Sequence, residues 1–323
     1  MKSEFYVVTG CAGFIGYHYC KKKLKNKNIK IIGIDNLNSY YDSKIKYRRL
    51  SELKEYKKNF FFKKIDLKNK NSLILNLKGK KISKIINSAG QAGVKHSVKN
   101  PHDYVNDNIS SFINLLEFFK DFKNKPNIIF ASSSSVYGDN FNKKSNLNFK
   151  PNSVYAISKL TMEMLTKVYC QLYKFKICGL RFFTVYGSYG RPDMSYYIFA
   201  KKIINNEVVK VYNKGLNQRS FTHINDLLNS INKVEKFLNL QKKGFNDNFN
   251  IGNPKSYNVK YLLNIIEKNL QKRSKVLFLP LENWDIAKTK SNIHREKKLL
   301  KLNFSVNLKD GIKEFTDWFK RYE

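Results

Sequence analysis

Gly10-Cys11-Ala12-Gly13-Phe14-Ile15-Gly16 follows directly on the apolar run Phe5–Thr9 and opens a helix-like stretch, Phe14–Leu24. Glycines three apart let a chain turn sharply at the end of a strand and bring its backbone close to a pyrophosphate. The phosphates then face the N–H groups at the start of the following helix. An acid stands where such a turn requires one: Asp35 ends the next strand candidate, Ile31–Asp35, in reach of the hydroxyls of an adenosine ribose. A carboxylate there repels a 2′-phosphate, so the expected cofactor is NAD rather than NADP. Asp66, ending a third run in Lys64-Ile65-Asp66-Leu67, is placed to border the adenine.

Outward from this turn the first half of the chain alternates short apolar runs with amphipathic stretches. Strands are expected at Phe5–Thr9, Ile31–Asp35, Phe60–Asp66, Ile82–Ser88, Asn127–Ser132 and Ile177–Phe183, and helices at Phe14–Leu24, Pro101–Phe122 and Ser153–Phe175. Strands alternating with helices of ten or more residues predict an α/β, Rossmann-like doubly wound parallel sheet. Past about residue 185 the alternation weakens. Short strands at Asn205–Lys214 and Asn248–Asn253, with helices at Ile224–Leu240, Val259–Asn269 and Leu308–Tyr322, predict a smaller α/β C-terminal substrate lobe against the strands' carboxyl ends. The expected division is 1–184 for the dinucleotide domain and 185–323 for the lobe, with some chain crossing back to the sheet.

The composition narrows the function classes. The 323 residues carry 61 Lys+Arg against 25 Asp+Glu, a net charge of +36, yet 42% are hydrophobic and 14% aromatic, enough to fill a core. A charge of this size raises nucleic acid as a partner. However, 53 of the basic residues are Lys and only 8 are Arg, and the Lys are scattered from Lys2 to Lys320. Bidentate base readout uses the Arg fork, so specific nucleic-acid binding is not expected. The even spread of Lys and of 39 Asn reads as codon bias. No apolar run approaches a membrane span, and no signal peptide precedes the first strand. Cys11, Cys20, Cys170 and Cys178 show no CxxC or metal spacing, which predicts reduced thiols in a cytoplasmic protein. His18, His96, His102, His223 and His294 form no ligand cluster, so no metal is expected.

Tyr155-Ala156-Ile157-Ser158-Lys159 sets a phenol and an ammonium four residues apart on a helix, hence on one face. The cation stabilises a phenolate and can hold a cofactor ribose, while the phenol serves as acid or base. Upstream, Ala131-Ser132-Ser133-Ser134-Ser135-Val136-Tyr137-Gly138 puts four hydroxyls at the carboxyl edge of a strand, where ligands bind in this architecture.

With these three motifs the chain resembles the extended short-chain dehydrogenase/reductase family, and within it the nucleotide-sugar epimerases, most of all those acting on UDP-glucuronate. The resemblance runs nearly end to end, through Ile34-Asp35-Asn36-Leu37-Asn38, Gln91-Ala92-Gly93-Val94, Arg181-Phe182-Phe183-Thr184-Val185-Tyr186-Gly187, Gly190-Arg191-Pro192-Asp193-Met194 and Asn250-Ile251-Gly252-Asn253. It implies that NAD takes hydride from C4 of the sugar while Tyr155 takes the 4-hydroxyl proton. The 4-keto sugar then turns, and hydride returns to its opposite face. Ser133, Tyr155 and Lys159 are the catalytic residues implied. The implied cofactor contacts are Gly10, Gly13, Phe14, Ile15, Gly16, Asp35, Asn36, Asp66, Leu67, Ala89, Gln91, Asn108, Tyr155 and Lys159. The implied substrate contacts are Ser132, Ser133, Ser134, Thr184, Arg191, Val211, Asn213, Arg219 and Asp285.

Family dehydratases carry a carboxylate pair after the catalytic hydroxyl, and UDP-glucuronate decarboxylases a Glu; here stand Ser134 and Ser135. The resemblance thus implies 4-epimerisation of a UDP-sugar, UDP-glucuronate to UDP-galacturonate for surface polysaccharide. The rivals are UDP-glucose, a UDP-N-acetylhexosamine or its uronate, then decarboxylation, then a non-catalytic NAD- or RNA-binding module. A 4-keto glucuronate is a β-keto acid, so an epimerase must pin its carboxylate, and Arg191 is the fork suited to that. Arg219 would meet the diphosphate. Departures from the family pattern include Asn87-Ser88-Ala89-Gly90, Ser220, Asn225 and Glu282-Asn283-Trp284-Asp285. Apolar faces wider than one sheet contact requires, on the helices near 104–122 and 153–174, predict a homodimer.

Overall fold

The computed structural model describes residues 4–140, 149–282 and 286–322. The chain divides into two compact units: one of Met1–Val136, Ser153–Arg181 and Asn232–Phe249, the other of Tyr137–Asn152, Phe182–Ile231 and Asn250–Glu323.

In the first unit, strand and helix alternate as β1 (Phe5–Thr9), α1 (Phe14–Leu24), β2 (Lys30–Asp35), α2 (Lys44–Lys54), β3 (Phe60–Lys64), α3 (Lys70–Leu77) and β4 (Ile82–Asn87). After α4 (Val94–Lys99), α5 (Pro101–Tyr104) and α6 (Ser111–Phe119) come β5 (Asn127–Ser133), α7 (Val154–Tyr173) and β6 (Lys176–Phe182). Seven strands order as β3-β2-β1-β4-β5-β6 and then Asn246–Ile251. The pairings of β1 with β2 and β4, of β2 with β3 and of β4 with β5 are parallel. Strands buried on both faces need unbroken apolar runs. Val7, Ile32, Ile34, Ile85 and Ile128 supply them, meeting Phe112, Leu115, Leu116 and Phe119 of α6 in one core. Strand order reverses between β1 and β4, so the carboxyl ends of these strands form the switch point at which such sheets bind ligands.

Among the boundaries that differ from expectation, three bear on the sheet and the site. The third strand stops at Lys64, two residues before Asp66, which sits in the following loop. The single helix expected over Pro101–Phe122 is α5 and α6 joined by a π-turn, Val105–Ser110. The strand expected at Asn248–Asn253 runs Asn246–Ile251 and pairs beside β6 in the large sheet. The returning segment around residue 235 is held by a buried carboxylate, Glu235, bonded to Tyr19 and Lys23 of α1.

In the second unit the strands pair two by two. After β7 (Thr184–Tyr186) and α8 (Ser195–Ile204) come β8 (Val208–Tyr212), β9 (Gln218–Arg219), β10 (Phe221–His223) and α9 (Ile224–Asn239), whose residues from Asn232 onward belong to the first unit. Past β11 (Asn246–Ile251) follow β12 (Tyr257–Asn258), α10 (Val259–Leu270), β13 (Lys275–Leu279), α11 (His294–Leu300) and α12 (Leu308–Tyr322). β7 pairs with β10 and β8 with β13 in parallel, and β9 with β12 antiparallel. The aromatic face of α12 closes this unit's core: Phe315 meets Tyr196 edge-on at 4.8 Å and Trp318 packs on Tyr189 at 4.9 Å. No helix among the described residues is long and apolar enough to cross a membrane.

Candidate active site

The glycine turn stands where β1 hands over to α1. Gly10 has φ +66, and a Cβ there would fall 2.7 Å from the backbone nitrogen of Ala89; one on Gly16 would fall 2.2 Å from the Gly10 carbonyl oxygen. The turn is therefore built by the absence of side chains, against the end of β4. Gly13 caps α1 with no side-chain hydrogen bond, and no acid occupies the first turn. Phe14, Ile15 and Gly16 thus begin a helix whose N–H groups and positive dipole end meet no competing carboxylate from that turn.

Asp35, at the end of β2, is buried beside this turn. Its Oδ2 accepts the Ala12 N–H at 3.0 Å and its Oδ1 the Leu37 N–H at 2.8 Å. Each carboxylate oxygen can accept a second bond, which suits a ribose hydroxyl. Asn36 donates to Asp66 Oδ2 at 3.3 Å, and Asp66 also accepts the Lys68 N–H at 3.0 Å. Asp66, Lys68 and Asn69 border an open depression. Leu67 is in the core, so it offers a ligand its backbone; its carbonyl accepts from Asn114 at 3.0 Å.

Two residues of α2 that the sequence reading passed over brace the glycine turn and the loop after β2. Arg49 of α2, fully buried, donates from Nη1 to the Ala12 carbonyl at 2.8 Å and to the Tyr41 hydroxyl at 3.0 Å. Lys46, one turn earlier, donates to the Asn38 carbonyl at 2.6 Å. Burial draws the Lys46 ammonium below its ordinary pKa, with the Asp35 charge opposing. The scarcity of Arg was the one signal in the sequence that could have marked Arg49.

Tyr155 and Lys159 lie one turn apart on α7, whose N-cap Ser153 accepts the Ala156 N–H at 3.2 Å. Lys159 Nζ is 6.0 Å from the Tyr155 ring centroid. Asn108 arrives from the π-turn, where the wider turn leaves it donating to Gln91 O at 3.0 Å and Ser158 Oγ at 2.9 Å. A Cβ built on Gly90 would touch both Asn108 Oδ1 (2.6 Å) and Lys159 Nζ (3.4 Å), so these groups converge. Asn108 Oδ1 and Gln91 Nε2 are buried acceptor and donor with no partner among the described residues. Orphaned polar atoms beside a buried Lys, in the unit that carries the glycine turn, fit a polar cofactor such as NAD. Ala89, half-buried, donates its N–H to Thr9 Oγ1 at 3.3 Å.

The serine strand end divides its hydroxyls. Ser133 Oγ accepts the Ser135 N–H at 3.1 Å and lies 3.2 Å from Ser135 Oγ. Ser134 starts the 3-10 turn Ser134–Asn140. Ser132, for which a sugar contact is expected, donates its hydroxyl to buried Glu163 at 2.6 Å, inside the first unit.

In the second unit Thr184 opens β7, half-buried. Arg191 grips Asp193 through both Nε (3.0 Å) and Nη2. Val211 is buried in β8 and offers backbone. Asn213 donates to Asn217 at 2.7 Å, and Arg219 Nη1 donates to the Gln218 carbonyl at 2.9 Å. Asp285 lies outside the described residues. Among the described residues no three His, Cys, Asp or Glu gather as a metal site.

A family model described as the NAD dependent epimerase/dehydratase family matches residues 6–252. An uncharacterized protein of Methanocaldococcus jannaschii is 41% identical over 99% of this chain and 97% of its own length. A UDP-glucuronate 4-epimerase of Thermodesulfobacterium geofontis is 36% identical over 98% of this chain and 96% of its own. Among solved structures, a UDP-glucuronic acid 4-epimerase from Bacillus cereus in complex with UDP-glucuronic acid and NAD matches with a TM-score of 0.90 at 30% identity, covering 100% of both chains.

Proposed function

The chain belongs to the NAD dependent epimerase/dehydratase family, and from that premise we propose that it interconverts UDP-glucuronate and UDP-galacturonate by an NAD-dependent 4-epimerisation through a 4-keto sugar. One observation carries the reaction type. The Tyr155–Lys159 pair shares a unit with the dinucleotide turn, and the residues after Ser133 are the hydroxyls of a serine turn rather than carboxylates.

NAD bound at the glycine turn supplies a reversible two-electron store for C4 of the sugar. Tyr155 takes the proton of the 4-hydroxyl and returns it, and Lys159 stabilises the phenolate between those events. Ser133 hydrogen-bonds the reacting oxygen, which limits the need for any charged group there. From the second unit, Arg191 is assigned the sugar carboxylate. Asp193 holds the guanidinium plane in advance, so less side-chain freedom is lost on binding. A pinned carboxylate keeps the β-keto acid from the perpendicular geometry that expels CO2. Val211, Asn213 and Arg219 are assigned the uridine diphosphate.

Ile157, Met164, Val168 and Leu172 lie exposed along one face of α7, between 49% and 65% accessible, and Val105 at 45% begins the π-turn. A continuous apolar stripe of this kind supports a homodimer through these helices. The four buried, unbridged cysteines support a reducing, cytoplasmic setting.

Proton NMR of the protein with UDP-glucuronate, with and without added NAD+, tests the reading. UDP-galacturonate forming without loss of CO2 is the expected result. No product from the acid sugar, with turnover of UDP-glucose or a UDP-N-acetylhexosamine, would move the substrate and remove the role given to Arg191.

A further inference from the structure

Resting on the epimerase reading above, we infer that Glu163 is a positioning residue that, through Ser132, fixes the strand end from which the Ser133 hydroxyl is presented. Glu163 follows Lys159 by one turn and Tyr155 by two, so the three share a face of α7. Its carboxylate takes hydrogen bonds from two neighbouring strands. Arg181 of β6 donates from Nε at 2.9 Å and from Nη2 at 2.7 Å, and Ser132 of β5 donates its hydroxyl at 2.6 Å. All three side chains are buried, at 5%, 8% and 2% accessibility.

A buried ion pair is a poor device for stability alone, because an apolar pair of similar volume does as well without the desolvation cost. Nor would stability require the third bond. That bond lands one residue before Ser133, the last residue of β5, where the chain turns into Ser134–Asn140. The pairing of β5 with β4 ends at Phe130, and beyond it Ser132 ties the strand to the helix that bears Tyr155 and Lys159. Ser133 in turn steadies the turn beyond it by accepting the Ser135 N–H. A shift of even an ångström between catalytic groups costs a large part of the rate, so the anchor bears on turnover rather than on affinity.

The experiment uses three forms of the full-length enzyme beside wild type: Ser132→Ala, Ser132→Thr, and the double variant Glu163→Leu/Arg181→Met, whose apolar pair keeps the core filled. Amide hydrogen exchange and steady-state kinetics with UDP-glucuronate are measured on each. Ser132→Ala and the double variant are expected to speed exchange at residues 131–137 by about tenfold or more, since that segment's local opening loses its tie. Their kcat is expected to fall about tenfold or more with KM nearly unchanged. Ser132→Thr, which keeps the hydroxyl, is expected to restore both. Wild-type exchange in Ser132→Ala and the double variant overturns the anchor, and faster exchange with wild-type kcat overturns its role in the reaction. If the wild type turns over no UDP-sugar while Ser132→Ala still loosens residues 131–137, the epimerase reading fails and the anchor stands.

Discussion

Arg49 holds Ala12: its guanidinium donates to the Ala12 carbonyl, while the N–H of that same residue is taken by Asp35. The peptide units on either side of Ala12 are thus fixed from the middle of α2 and the end of β2, before any ligand arrives. Among Lys-rich surroundings, an Arg with no exposed area marks a position where the planar fork is required and a Lys would not serve.

Arg49→Met therefore weakens NAD binding without touching NAD. Affinity is expected to fall about tenfold, and unfolding stability by about 2–3 kcal/mol, the usual value of a buried charge-assisted hydrogen bond that is removed. Calorimetric titration with NAD+ and a denaturant melt check the two halves separately; wild-type affinity in a destabilised protein would sever the link.

Tyr155→Phe keeps the ring against Tyr104 and removes the acid–base group. Turnover of UDP-glucuronate is expected to fall by about 10²–10⁴-fold. NAD binding by the same preparation should be within a small factor of wild type, which separates lost chemistry from lost fold.

Arg191→Ala is expected to erase the preference for an acid sugar. The measurement is the ratio of kcat/KM for UDP-glucuronate over UDP-glucose, together with CO2 released from the acid. A ratio that does not move would remove Arg191 from the carboxylate.

His223 gives the second unit a pH dependence. It is fully buried in β10, against the Tyr186 ring at 5.3 Å, and its Nδ1 faces the Asn225 N–H at 3.4 Å. Burial lowers its pKa, with the charges of Glu314 and Asp226 opposing. The unfolded chain thus binds the proton first. Stability is whole above about pH 6.5 and falls as pH drops from there toward the lower folded value. Melting temperatures from pH 7.5 to 5 should show this loss, and His223→Gln should remove part of the slope.

Met164→Glu with Leu172→Lys places charges on the apolar stripe of α7. Sedimentation is expected to show a dimer for wild type and a monomer for the double variant. A monomer in both, or a dimer in both, would take the interface away from α7.

Much of this was legible in the sequence because local patterns and tertiary demands coincide. The glycine turn is recognised by the strand before it, the helix after it and Asp35 at the end of the next strand, and the strands β1, β2, β4 and β5 are apolar runs bounded by turn residues. The Tyr155–Lys159 pair gains its meaning from helical spacing together with the serine strand end upstream of it. What stayed hidden depends on long-range partners. Ser132 and Ser133 are chemically alike, and only Glu163, 31 residues away, separates a tether from a candidate catalytic hydroxyl. Arg49 meets Ala12 across 37 residues. The strand Asn246–Ile251 is polar at its start and so reads as weak, yet β6 supplies its pairing.

The π-turn at Val105–Ser110 shows how the fold carries a surplus residue. A helix advances about 100° per residue, so one residue added to a regular helix would turn everything beyond it by that angle. A π-turn takes such a residue up within one wide turn, and Phe112, Leu115, Leu116 and Phe119 of the following helix keep facing the core. The irregularity is thereby confined to the turn itself, where Asn108 reaches Gln91 and Ser158.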